Sequence, residues 1–248
     1  MDDQNMKSKN RAVMMLKPGS IESVARRYDE IARKYMDAQD RFYSGREDGS
    51  RTALYAQFDF LKKGMKVLDA GCGFGKDMAY FHGLGADVYG VDASAEMVKL
   101  AKERYPELTN LFVRDLRRTG FENGFFDAVY SRYALHYSEN FEEALSELHR
   151  VLRPGGHLIF LVAHPLLGFI AKEERNYHKR GIVTISIYGN AISIEEPTNT
   201  FQDYLCPFLL GNFDLVGFYE NPGMDNETGE PCQVVPDYLI INCRKRRP

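Results

Sequence analysis

The sequence lacks the features that mark an exported or membrane-bound protein. Its first five residues, Met1-Asp2-Asp3-Gln4-Asn5, are too polar for a signal peptide, and no uncharged apolar run is long enough to span a bilayer. The four cysteines are scattered and no two have Cys-x-x-Cys spacing, which argues against a structural zinc site and suits free thiols in a reducing compartment. We therefore expect a soluble, cytoplasmic protein without membrane association and without a bound metal.

A strong net charge is also missing. The chain has 32 Lys and Arg against 35 Asp and Glu, a formal net charge of −3, and this balance does not indicate a polyanionic partner. The basic end Arg244-Lys245-Arg246-Arg247 is typical of a solvated terminus. With 248 residues, 44% of them hydrophobic, the chain fits one globular α/β domain with insertions. We expect no nucleic-acid partner, and either a monomer or a homodimer.

Strands alternate with helices along most of the chain. Residues 1–19 are polar and broken by Pro18-Gly19, which predicts a flexible arm before a domain over 20–248. From Ile21 apolar residues recur at helical spacing. This alternation predicts a parallel sheet with helices on both faces. The predicted strands are 66–69, 87–92, 111–113, 125–130, 157–162, 213–219 and 238–243.

Two irregular segments interrupt the later part of the pattern. Residues from about 163 to 200 form an insertion after the fifth strand, with a β-rich stretch over 182–194 that is broken at Gly189-Asn190. Pro207 falls within the expected helix before the sixth strand, and proline should kink or shorten that helix.

A glycine-rich loop, Asp69-Ala70-Gly71-Cys72-Gly73-Phe74-Gly75, follows the first strand. Glycines let backbone amides approach a ligand, and ligands of open α/β sheets lie at the carboxyl ends of the strands. A dinucleotide fingerprint, Gly-x-Gly-x-x-Gly, fails because Lys76 stands at the third glycine position. The carboxylate of Asp69 suits a ligand with an ammonium group and no phosphates. Asp92, at the tip of the second strand, is placed to accept hydrogen bonds from ribose hydroxyls.

Five motifs in order resemble those of the class I S-adenosylmethionine-dependent methyltransferases. The resemblance covers about residues 20–162 and, more weakly, 236–241. It implies a Rossmann-like, seven-stranded, mostly parallel sheet with a substrate lid in the insertion after strand five. It also implies S-adenosylmethionine as the methyl donor, with S-adenosylhomocysteine as the product. The motifs are Val67–Gly75, Tyr89–Ser94, Arg114-Asp115-Leu116, Phe126–Ser131 and Val151–Gly156.

The same resemblance implies residues that bind the cofactor. Asp115 would hydrogen-bond the adenine amine and Leu116 would offer its backbone amide to the ring. Aromatic residues on the leading helix close the pocket in this family, a role matched by Tyr28 and Tyr35, although both could instead be core residues of an amphipathic helix. The full predicted set is Tyr28, Tyr35, Asp69, Ala70, Gly71, Gly73, Asp92, Ala93, Met97, Asp115, Leu116 and Ser131.

Three residues are candidates for a catalytic base or an acceptor contact. Methyl transfer from a sulfonium relies on proximity and alignment, and a base is needed only when the nucleophile must lose a proton. His136 and Tyr133 follow strand four on the rim that should face the methyl group, where a histidine can also be structural. His164, before Pro165, ends strand five and could be a catalytic group or only a turn residue.

The expected acceptor is a small molecule methylated on oxygen, nitrogen or carbon. Nucleic-acid amino-methyltransferases carry Asn/Asp-Pro-Pro-aromatic after strand four, whereas this chain has Ser131-Arg132-Tyr133-Ala134. Arg175 and Arg180 in the insertion suit an acceptor with a carboxylate or phosphate, unless they are only solvated loop charges. Two alternatives stay open: a regulatory protein that binds S-adenosylmethionine without catalysis, and an NAD-dependent oxidoreductase, against which Lys76 and Asp69 argue.

Overall fold

The computed structural model describes residues 21–138, 140–221 and 235–247, so the predicted arm over residues 1–19 lies outside the described residues. The helices are α1 (Ile21–Phe42), α2 (Gly49–Tyr55), α3 (Lys76–Gly83), α4 (Ala95–Arg104), α5 (Phe141–Val151), α6 (Pro165–Ala171), α7 (Phe201–Tyr204) and α8 (Pro207–Asn212). The strands are β1 (Lys66–Ala70), β2 (Asp87–Asp92), β3 (Leu111–Val113), β4 (Phe126–Arg132), β5 (Leu152–Ala163), β6 (Ile182–Ile187), β7 (Ile192–Pro197), β8 (Phe213–Glu220) and β9 (Tyr238–Lys245).

Seven strands form one sheet in the order β3-β2-β1-β4-β5-β9-β8. The first five in this order are parallel, and β9 runs antiparallel to both of its neighbours, β5 and β8. The predicted seven-stranded, mostly parallel α/β sheet is therefore confirmed. The strand order reverses between β1 and β4, and in open α/β sheets ligands bind in the crevice at that point.

The central strands are buried on both faces, as an apolar run such as Val67-Leu68 predicts, whereas the edge strand β8 is largely exposed. Successive side chains of a strand point to opposite faces, so Leu68 and Val67 enter different hydrophobic clusters. The cluster of Val67 includes residues of α2, α3 and α4, and the cluster of Leu68 includes residues of α5 and α8. Helices consequently cover both faces of the central strands, and the functional crevice opens at the ends of these strands.

Strand β5 begins earlier than the predicted residue 157. Leu152 follows α5 directly and already pairs with Phe126, and the register then shifts before His157 pairs with Ala128. The residues between form an irregularity of the ladder, where proline is tolerated because the lost amide donor has no partner there. Pro154-Gly155-Gly156 therefore lies within an irregular start of the strand and does not form a separate turn.

The insertion contains an antiparallel hairpin of β6 and β7, whose connection lies at the predicted Gly189-Asn190 break. The ring of Tyr188, at the hairpin tip, lies 5.4 Å from the ring of Tyr35 on α1. The helix before β8 is divided at Pro207, since α7 ends at Tyr204 and α8 begins with the proline. No helix among the described residues is long and apolar enough to cross a membrane.

Candidate active site

A cavity opens where the strand order reverses, between the ends of β1, β2 and β4 and the helix α1. It encloses about 910 Å³, part of which is open to solvent. Nine residues predicted for the site line it: Tyr28, Tyr35, Gly71, Gly73, Asp92, Ala93, Met97, Leu116 and Tyr133. It is also lined by residues that sequence reasoning missed, among them Gln39, Arg51, Asp77, Arg132 and Tyr137.

The glycine loop passes so close to the segment after β4 that position 71 excludes a side chain. Gly71 has a φ of 91°, and a Cβ added there would lie 2.1 Å from the Cβ of Ala134. Its amide donates to the carbonyl oxygen of Val91 at 2.8 Å. A residue other than glycine would carry both backbone strain and a clash. Glycine at this position thus lets the loop pack directly against the segment after β4.

The carboxylate of Asp92 connects the glycine loop to the start of α4. Its Oδ2 accepts from the amide of Gly73 and its Oδ1 from the amide of Ser94, both at 2.8 Å. Burial raises the pKa of Asp92, while these two amides oppose the rise. Ser94 also caps α4 and donates its hydroxyl to Asp29 of α1 at 2.6 Å. This carboxylate lines the cavity beside Ala93, where hydroxyl groups of a ligand could reach it.

A buried network of charges forms another part of the wall. Arg51 donates from Nε to Oδ1 of Asp77 at 2.7 Å, and Arg132 donates from Nε to Oδ2 of the same carboxylate at 3.0 Å. Arg51 also pairs with Asp48. Burial opposes the charge of Asp77, but the guanidinium groups of Arg132 and Arg51 outweigh it and hold the pKa of this carboxyl below its ordinary value.

The sequence offered little signal for this network. Asp77 is 26 positions from Arg51 and 55 positions from Arg132, so no local spacing connects them. An acidic residue in the first turn of a helix is ordinary on its own, because it interacts favourably with the helix dipole. Only the approach of α2 to the ends of β1 and β4 brings the three side chains together.

Comparison with known proteins gives the same interpretation as the geometry of the cavity. Residues 68–160 match the family model described as a methyltransferase domain. A solved S-adenosylmethionine-dependent methyltransferase from Mesorhizobium loti is 25% identical, with a TM-score of 0.60 over 77% of this chain and 96% of that one. Residues 68–160 therefore form a methyltransferase domain, and both matches support the class I S-adenosylmethionine-dependent family for this chain.

Two curated relatives resemble this methyltransferase over different lengths. The chain is 29% identical over 178 residues to a demethylmenaquinone methyltransferase of Paenarthrobacter aurescens, a match that covers 71% of this chain and 68% of the relative. It is 36% identical over 112 residues to a malonyl-[acyl-carrier protein] O-methyltransferase of Enterobacter lignolyticus. This match covers 45% of this chain and 43% of the relative. The second match therefore spans less than half of either protein.

The cofactor of the methyltransferase is S-adenosylmethionine, and the chemistry of the cavity fits it. Asp92 offers a carboxylate for ribose hydroxyls, and Ala93, Met97 and Leu116 offer apolar surface for a flat ring. These residues would hold the cofactor along the ends of β1 and β2.

Four predicted cofactor residues lie behind or beside the cavity and do not line it. Asp69 is 2% exposed and accepts from the hydroxyl of Tyr130 at 2.8 Å, and burial raises its pKa. Ser131 accepts from the amide of Leu135 at 3.2 Å, and Asp115 is bound by Arg117 at 2.6 Å. These contacts position the loops, and ligand contacts of these residues stay predictions. The fourth residue is Ala70, which is fully buried.

Tyr133, a predicted catalytic candidate, lines the cavity directly after β4. Its φ of 53° lies in the left-handed region, which is unfavourable for a tyrosine. The backbone is held there by its amide, which donates to the carbonyl oxygen of Leu161 at 2.9 Å. Such local strain is concentrated at functional sites, so its placement supports a role at the acceptor.

The two candidate histidines do not line the cavity. His164 accepts from the amide of Leu166 through Nδ1 at 3.2 Å, and its Nε2 lies 2.7 Å from Glu220. It therefore caps α6, which favours the turn role. His136 is buried behind Tyr137, with its Nε2 2.7 Å from Oε1 of Glu196 on β7.

The basic residues of the insertion also lie away from the cavity. Arg175 and Arg180 are exposed, and Arg180 pairs with Asp203. The hairpin instead approaches the cavity through Tyr188, which accepts from Nε2 of Gln39 at 2.6 Å and donates to the hydroxyl of Tyr35 at 2.9 Å. Among the described residues, no group of three or more His, Cys, Asp or Glu is arranged to hold a metal ion.

Proposed function

We propose that this methyltransferase transfers the methyl group of S-adenosylmethionine to a small aromatic acceptor carrying a hydroxyl or N–H group. One observation carries the proposal: a single cavity joins the predicted cofactor residues to a wall of tyrosines. Asp92, Ala93 and Met97 line one part of it, and Tyr28, Tyr35, Tyr133 and Tyr137 line another. Aromatic side chains favour flat apolar partners in offset or edge-to-face contact.

The rings of this wall support one another. Tyr28 lies edge-on to Tyr35 with ring centroids 5.8 Å apart, and edge-on to Tyr137 at 6.0 Å. Tyr188 of the hairpin extends the row from the far side of Tyr35. An acceptor between these rings would be shielded from water and held in one orientation. Such orientation supplies much of the rate when the electrophile is already activated.

Two arginines of the cavity wall are already paired with a carboxylate, which supports a neutral acceptor. Arg51 and Arg132 both engage Asp77, so an anionic group would have to compete with a buried carboxylate for them. An acceptor anion held by Arg175 and Arg180 finds less support, because these side chains are exposed and do not line the cavity. The relative named demethylmenaquinone methyltransferase also supports a ring-bearing acceptor.

The bound cofactor supplies an electrophilic methyl group on a cationic sulfur. This chain supplies the positioning of the acceptor, the exclusion of water and the removal of a proton. Tyr133, at the end of β4, is the predicted acceptor contact. The hydrogen bonds of Tyr188 to Gln39 and Tyr35 would close the cavity over the acceptor.

Two measurements test this function. Thermal-shift titration should show stabilisation by S-adenosylmethionine and S-adenosylhomocysteine and none by NAD, since specific ligands stabilise the folded state. Transfer of a labelled methyl group should then occur to naphthols or naphthohydroquinones and not to a malonyl thioester. Stabilisation by NAD alone would indicate an oxidoreductase. Transfer to the thioester and to none of the aromatic compounds would contradict the aromatic acceptor.

A further inference from the structure

A chain of polar side chains runs from the cavity to the insertion hairpin. The hydroxyl of Tyr28 donates to the hydroxyl oxygen of Tyr137 at 3.2 Å, and Tyr137 donates to Oε2 of Glu196 at 2.8 Å. The other carboxylate oxygen of Glu196 lies 2.7 Å from Nε2 of His136. Tyr28 and Tyr137 line the cavity, whereas Glu196 and His136 lie behind them.

The inner end of this chain is buried and incompletely satisfied. His136 is 2% exposed and Glu196 is 4% exposed. The angles of their close contact do not meet those of a hydrogen bond. Three buried atoms consequently have no hydrogen-bond partner among the described residues: Nδ1 and Nε2 of His136 and Oε1 of Glu196. Burying such groups without full hydrogen bonding costs stability, so their presence calls for a functional explanation.

We propose that Glu196, acting through Tyr137 and Tyr28, takes up the proton that the acceptor loses when it is methylated. This inference rests on the proposed function, because it requires an acceptor with a hydroxyl or N–H group in the cavity. Both hydrogen bonds of the chain point toward Glu196. The oxygen of Tyr28 is therefore the entry point, since its own proton is already committed to Tyr137.

The transfer balances in atoms and charge. A bond forms between the acceptor atom and the methyl carbon as the bond from that carbon to sulfur breaks. The acceptor proton passes to the oxygen of Tyr28, the proton of Tyr28 passes to Tyr137, and the proton of Tyr137 passes to Oε2 of Glu196. The sulfonium and the carboxylate both become neutral, so the net charge of the buried site does not change. A further reactant is not needed.

The two tyrosines conduct the proton and do not hold it. Burial, and then the neighbouring Tyr35, raise the pKa of Tyr28. Burial and the charge of Glu196 raise the pKa of Tyr137 well above its ordinary value. Both hydroxyls consequently stay protonated at neutral pH, and the hydrogen-bonded chain ends on the carboxylate of Glu196. His136 is a positioning residue beside the carboxylate.

A pair of probes separates proton removal from structural support. 2-Naphthol must lose a proton on methylation, whereas 2-naphthalenethiol is ionised at mildly alkaline pH and needs no base. Glu196→Gln keeps the shape and the acceptor oxygen for Tyr137 but cannot take a proton. We expect it to lower kcat for 2-naphthol by about 100-fold and to leave kcat for the thiolate within about twofold. Tyr137→Phe, which keeps the ring, should give the same split.

Glu195→Gln is the matched control, because Glu195 is the preceding residue of β7 and its side chain forms an ion pair with Arg27 at the surface. This control should leave both rates unchanged. Equal losses for both probes in Glu196→Gln would show that Glu196 only anchors the hairpin and would overturn the proton path. Unchanged rates would also overturn it. If the wild-type protein binds S-adenosylmethionine but methylates neither probe, the proposed acceptor class is wrong and the path falls with it.

Discussion

The Nε atom of Arg51 donates a hydrogen bond to Oδ1 of Asp77 at 2.7 Å, inside the wall of the cofactor cavity. Both side chains are largely buried. A buried ion pair adds little net stability over apolar packing, yet removal of one partner leaves an uncompensated charge. The pair therefore makes the cavity wall vulnerable to substitution of either partner.

We expect Asp77→Asn to lower the free energy of unfolding by about 3–5 kcal/mol at neutral pH, because Arg51 and Arg132 lose their shared partner. The pKa of Asp77 is lowered in the folded state, so its stabilisation is present above the ordinary carboxyl pKa and is lost as the pH falls toward the folded value. The difference between variant and wild type should shrink below about pH 4. Urea denaturation at several pH values measures it.

The control for this variant is Asp214→Asn, which removes an exposed ion pair with Arg246. It should change the free energy of unfolding by no more than about 1 kcal/mol. A pH-independent difference for Asp77→Asn would show that its effect is steric and not electrostatic.

Asp92→Asn should weaken binding of S-adenosylhomocysteine by about 10- to 100-fold. The carboxylate accepts from two amides, and the amide side chain would present a donor to one of them while losing its charge for ribose hydroxyls. Isothermal titration calorimetry measures the affinity. Glu103→Gln, an exposed residue paired with Arg33, is the control. An unchanged affinity of Asp92→Asn would refute the ribose contact.

Gly71→Ala should destabilise the fold and abolish binding of S-adenosylhomocysteine. The added Cβ would meet the Cβ of Ala134 at a backbone conformation that also disfavours alanine, and the two costs together are about 2–5 kcal/mol. Gly45→Ala is a matched control, since position 45 has a φ of 72° but no atom within 4 Å of the added carbon. It should cost only about 1–2 kcal/mol and leave binding intact. Equal losses of stability in both variants would show that backbone strain, and not the contact with Ala134, is the cause.

Tyr188→Phe should speed amide exchange across residues 182–197. The hydroxyl of Tyr188 connects the hairpin tip to Gln39 and Tyr35, and the variant loses both hydrogen bonds but keeps the ring. Local opening of such a segment becomes easier by about 1–2 kcal/mol. Hydrogen–deuterium exchange measures the change. Tyr219→Phe, on exposed β8, should leave the hairpin unaffected. Unchanged exchange in Tyr188→Phe would mean that ring packing alone holds the tip.

Local patterns in the sequence predicted most of the strands and helices of the fold. A buried parallel strand is an apolar run, and a glycine-rich loop must follow it if a ligand is to approach the backbone. Such signals involve neighbouring residues, so Gly71 and Asp92 could be placed at the cavity without coordinates. The irregular start of β5 could not be predicted, because Pro154-Gly155-Gly156 also has the composition of an ordinary turn.

The sequence by itself determined the order of strands and helices, the position of the glycine loop and the identity of the cofactor, S-adenosylmethionine. Tertiary structure decided which side chains face the acceptor. Glu196 is 59 positions from Tyr137, and Asp77 is 55 positions from Arg132. Neither contact could be predicted from a local sequence pattern, because the partners are far apart in the chain. His164 is a residue whose local pattern is ambiguous. A histidine before a proline is compatible with a catalytic group at the rim of the cavity and also with the N-cap of a helix. Burial and hydrogen bonding distinguish the two roles, and both depend on the packing of distant segments.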